Sequence, residues 1–80
     1  MNDTPINEAT VRYLTEGISS DVVQLLMSEM DYTLPQALQT FYNSETYEKL
    51  EDYETGLYIE SSRYVFALLQ DELKYGRLVN

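Results

Sequence analysis

The sequence predicts an all-α fold, a small bundle of about four helices, and three observations carry that prediction. Apolar residues recur in the α-helical phase along the first third of the chain. Helix-start signals stand in front of the other apolar segments. Only three glycines and two prolines occur in 80 residues, too few turn residues for a many-stranded fold.

The first helix is expected over about residues 6–30. Asp3 or Thr4 can cap it, with Pro5 at its first position. Ile6, Val11, Leu14, Ile18, Val22, Leu25 and Leu26 keep one phase past Gly17. Gly17, Ser19 and Ser20 offer a competing signal, a helix end followed by a new cap at Asp21. A mid-helix glycine costs about 1 kcal/mol relative to alanine. The shared phase therefore favours one long helix, with a kink near Gly17 as the allowed departure.

Thr33-Leu34-Pro35-Gln36 is a capping-box start for a second, short helix ending near Tyr42 or Asn43, with Leu34, Ala37, Leu38 and Phe41 on one side. Ser44 can cap a third helix, which fades at Glu51 and Asp52; Tyr47 and Leu50 share one of its faces. Residues 52–56 read as a turn with Gly56 at positive φ, and Leu57-Tyr58-Ile59 as a short extended segment. Ser61 caps the last helix, about residues 62–75, with Val65, Leu68, Leu69 and Leu73 as its buried stripe and Tyr64 and Phe66 flanking. Gly76 fits its C-terminal cap. The expected core is Ile18, Val22, Leu25, Leu38, Phe41, Leu50, Leu57, Val65, Leu68 and Leu69. The chain is read as a single domain, with an ordered part over about 6–76.

Size and composition narrow the function. A domain this short buries only about 60% of the surface its unfolded chain exposes, so a second subunit or a partner is a natural supplement. There is no cysteine and no histidine. Disulfides are impossible, and a zinc site lacks its usual ligands. The same absence removes the common general bases and thiol nucleophiles. A carboxylate pair of the glycosidase kind remains conceivable, but a bundle of this size leaves little room for a deep cleft. The chain is read as no enzyme, with no cofactor and no metal. Aligning Gly56 with the glycine of a calcium-binding EF-hand loop puts Tyr53 and Ser62 at ligand positions, which breaks that pattern. No secretory signal and no membrane-spanning apolar run is visible, so a cytoplasmic protein is expected.

Fourteen acidic residues against five basic ones give a formal charge of −9. That charge repels phosphate backbones and anionic lipid, which disfavours nucleic-acid and membrane binding and favours a protein partner with a basic face. Eight tyrosines are present, and Tyr42, Tyr47, Tyr53, Tyr58 and Tyr64 fall in the second half. Tyrosine fills cores, but it is also enriched in binding hot spots. With Asn43, these five form the candidate interaction surface. Tyr53 among Glu51, Asp52 and Glu54 has the look of a tyrosine-kinase substrate, but a partly exposed turn tyrosine is the better explanation.

The segments Phe41-Tyr42-Asn43-Ser44-Glu45-Thr46-Tyr47-Glu48-Lys49-Leu50, Thr55-Gly56-Leu57-Tyr58 and Ser61-Ser62-Arg63-Tyr64-Val65 are more particular than a generic bundle. They resemble a family of short bacterial helical proteins, a domain of unknown function, with a Tyr-Asn-Ser-x-Thr-Tyr-x-Lys-Leu block, a Thr-Gly-Leu-Tyr turn and a Ser-x-x-Tyr-Val helix start. The resemblance spans about residues 10–75. It implies a small helical partner of a larger protein, in a toxin–antitoxin-like arrangement, and it transfers no site residue. This chain departs from the family pattern at Tyr53 and Ser62, where proline is usual.

The functional expectation is a non-catalytic protein-interaction module, antitoxin-like or regulatory. The alternative is a structural homodimer through the Met27, Met30 and Val23 side of the first helix. Nucleic-acid mimicry ranks lower, since no regular spacing of carboxylates is evident.

Overall fold

The computed structural model describes residues 7–77. Asp3, Thr4, Pro5 and Ile6, expected to open the first helix, lie outside them. Asn7 provides the cap: its backbone is extended, and its side-chain carbonyl accepts from the Thr10 N–H at 2.8 Å. Helix α1 then runs unbroken over Glu8–Met30. It ends on Asp31, which takes the left-handed conformation at φ 61°. That turn brings both the Asp31 and the Tyr32 N–H back to the Leu26 carbonyl, the latter at 3.2 Å, which closes the last turn of the helix.

Helix α2 spans Leu34–Tyr42 and opens on the reciprocal box expected of it. The Gln36 N–H donates to Thr33 Oγ1 at 3.2 Å, and the Thr33 N–H to Gln36 Oε1 at 2.8 Å. Helix α3 spans Glu45–Glu51 behind its Ser44 cap, and α4 spans Ser62–Tyr75 between its Ser61 and Gly76 caps. Between α3 and α4 lie two 3₁₀ turns, Tyr53–Thr55 and Leu57–Ile59, hinged at Gly56 with φ 72°. The second turn corrects the expected extended segment. The Ile59 N–H reaches the Gly56 carbonyl and the Glu60 N–H the Leu57 carbonyl. These polar groups are satisfied locally, and no strand is present among the described residues to pair with an extended chain.

α1 is the spine of the bundle, packed on one side by α2 and on another by α4, while α3 fits against α4. Being covered twice, α1 buries a broad band: Ile18, Ser19, Val22, Val23 and Leu26. Phe41, Leu50, Val65, Phe66 and Leu69 meet it from the other helices, with Leu57 and Tyr58 from the second 3₁₀ turn. The expected core therefore needs revision. Leu38 is 41% exposed, Leu25 and Leu68 are only partly buried, and Leu73, in the last turn of α4, is 38% exposed. Phe66 moves from flank to centre.

Two polar contacts tie α4 to α1. Ser62 Oγ donates to Asp21 Oδ2 at 2.6 Å. The Arg63 guanidinium engages both Glu29 carboxylate oxygens, and its hydrogen bonds hold the Glu29 carboxyl below the usual range. Both partners face solvent, so the pair orients α4 more than it stabilises it.

Gly17 sits inside α1 without positive φ, and a Cβ built there meets nothing within 4 Å. Gly17→Ala is therefore expected to stabilise the protein by about 1 kcal/mol. Denaturant melts should show a higher midpoint with an unchanged slope. A lower midpoint would mean that α1 needs the glycine.

Candidate protein-binding groove

The N-terminal half of α1 presents two rows at four-residue spacing. One is Glu8, Arg12 and Glu16; the other is Val11, Thr15 and Ser19. The polar members of the second row are buried, and Ser19 Oγ donates to the Thr15 backbone carbonyl at 2.8 Å. Facing these rows are Tyr42 from the end of α2, Tyr47 and Glu51 from α3, and Asp52 and Tyr53 from the turn that follows. The two walls enclose an open groove of about 820 Å³.

The aromatic wall is stiff. Phe41 lies fully buried beneath it, and Tyr42 and Tyr47 contact its ring edge-on, with centroids 5.1 and 5.2 Å away. Tyr42 and Tyr47 are themselves edge-on at 4.7 Å. Tyr47 Oη donates to Glu51 Oε2 at 2.8 Å, which fixes that carboxylate on the wall. Burial, and then the Glu51 carboxylate, push the Tyr47 hydroxyl up to about 12, so it remains a neutral donor across the ordinary pH range. Tyr53 is 54% exposed and stacks on Tyr58 at 6.2 Å.

Of the six residues expected to form an interaction surface, the groove gathers Tyr42, Tyr47 and Tyr53. Tyr58 is buried and supports Tyr53 from below, because the second 3₁₀ turn directs its ring inward. Asn43 is exposed as the C-cap of α2, and Tyr64 is exposed on α4; neither lines the groove. Sequence reasoning missed the α1 wall. Its signal was the Glu8, Arg12, Glu16 spacing, which reads equally well as an ordinary solvated helix face.

Four carboxylates and one guanidinium line the groove, so its field is negative. Among the described residues no group of three or more carboxylates converges in a way that could hold a metal ion. Nor is any helix among them long and apolar enough to cross a membrane. A scan against family models, a search among curated proteins and a search among solved structures each return no match. The reading of the groove thus rests on the residues that build it.

Proposed function

We propose that the protein is a non-catalytic interaction module that seats a basic segment of a larger partner protein in the groove between α1 and α3. One observation carries the reading: three tyrosine rings and four carboxylates share a single groove, in a chain of net charge −9. Lysine and arginine are the side chains such a lining suits. Their charged heads pair with carboxylates, and their flat or methylene parts lie on aromatic faces. The overall charge speeds encounter with a basic body and discourages nucleic acid and anionic lipid. The sequence resemblance would make this a bacterial protein with an antitoxin-like relation to its partner, and the lack of cysteine fits a cytoplasmic setting.

The experiment is capture from native cells at low salt, using the intact chain and a Glu51→Lys/Tyr53→Ala variant. Both side chains are exposed, so the variant should keep its helical far-UV spectrum. The intact chain is expected to retain a protein with a basic surface and to release it as salt is added. The variant should retain at least tenfold less. No retained protein, or equal retention by the variant, would refute the reading.

A further inference from the structure

A second surface begins on the other flank of Tyr42. Leu34, Leu38 and Tyr42 stand on successive turns of α2 and are 48%, 41% and 44% exposed. Met27 of α1, also partly exposed, faces them across a shallow open hollow of about 590 Å³, completed by Ser20, Val23 and Gln24. Glu16, at its end, is the one charged residue in the lining. The surrounding segment is unusual for this chain. Residues 32–44 contain no Asp, Glu, Lys or Arg, although such residues make up 24% of the whole.

We infer that this stripe is a self-association face, on which two copies of the chain pack α2 against α2 about a two-fold axis. Charge selects the occupant. Two bodies of net charge −9 repel, and most other approaches bring carboxylates together. The α2 face is a place where two copies meet without doing so. A basic partner, by contrast, finds only Glu16 to pair with here. Shape agrees: the Leu34–Leu38–Tyr42 ridge and the hollow toward Met27 lie side by side on one patch, and an isologous contact needs both on the same surface. The face corrects the homodimer surface expected from sequence, since Val23 is buried and Met30 partly so, leaving Met27 alone of the three well exposed.

Salt gives this contact a signature opposite to that of the groove. Screening removes the repulsion between two acidic bodies, so self-association should strengthen with salt while binding of a basic partner weakens. Sedimentation equilibrium of the full chain at low and high salt tests it. The expected result is a monomer–dimer equilibrium whose dissociation constant falls several-fold as salt is raised. Leu38→Glu and, independently, Met27→Glu should give monomers at both salts. Both side chains are exposed in the monomer, so helicity should be kept; if one variant fails to fold, the other decides. Glu51→Lys/Tyr53→Ala should dimerise like the intact chain. A wild-type monomer at high micromolar concentration in high salt would overturn the inference. So would dimers that survive either substitution.

Discussion

Replacing Phe41 with alanine is expected to destabilise the protein by about 3–5 kcal/mol, enough to populate the unfolded chain under mild conditions. Phe41 has no exposed surface. Its removal deletes the largest side chain α2 contributes to the core and leaves a cavity that short helices fill poorly. A domain of 80 residues has only about 4–12 kcal/mol in total to lose. The effect should reach both proposed surfaces, because the Tyr42 and Tyr47 rings rest edge-on against Phe41. Urea unfolding followed by far-UV circular dichroism measures the loss, and near-UV tyrosine signal reports on the wall. Phe41→Leu should cost clearly less, since it restores most of the volume. A Phe41→Ala variant within 1 kcal/mol of the intact protein would mean that α2 docks without its aromatic anchor.

Phe41 also shows where the sequence was legible and where it was not. Local chemistry was readable: the Thr33–Gln36 box, the Ser44 and Ser61 caps, and the positive φ at Gly56 and Gly76 each follow from neighbours a few residues away. Helix α2 presents two adjacent apolar rows, Leu34–Leu38–Tyr42 and Ala37–Phe41, and periodicity alone does not say which faces inward. Packing chose Ala37 and Phe41, where a small residue lets the helices approach and a ring fills the space beyond. Leu38 was thereby turned out of the expected core and onto the surface stripe. In α1 the same ambiguity arose from being covered on two sides, which buries Val23 and Leu26 beside the anticipated Val22. Three of the six anticipated surface residues meet in the groove, but their opposite wall comes from α1, some 30 residues earlier in the chain. No local pattern announces such a meeting.

Glu72 is the clearest case of a residue whose role is invisible until the fold is closed, and Glu72→Ala is the second large effect expected. From α4 its carboxylate reaches the start of α3. Oε2 accepts from the Glu45 N–H at 2.8 Å; Oε1 accepts from the Thr46 N–H at 2.9 Å and from the Thr46 hydroxyl at 2.8 Å. Ser44 serves the next amide, that of Tyr47, through its own hydroxyl at 3.0 Å. The open N-terminus of α3 is thus satisfied from two directions, one local and one 26 residues distant. Thr46 is completely buried, so deleting Glu72 strands its amide and its hydroxyl away from water. Hydrogen bonds to a charged group contribute about 1.5–3 kcal/mol each, and part of that is recovered here because Glu72 itself is only partly buried. A net loss of about 2–4 kcal/mol is expected for Glu72→Ala. Glu72→Gln should lose about half as much, since its amide nitrogen cannot accept from one of the α3 amides. Thr46→Val removes the buried hydroxyl, so Glu72→Ala should cost less in that background than alone, and the difference isolates the hydroxyl–carboxylate bond. The four stabilities come from parallel urea melts. If the two changes simply add, the Thr46 hydroxyl does not couple to Glu72, and a Glu72→Ala loss below about 1 kcal/mol would mean that its carboxylate does not hold the start of α3 either.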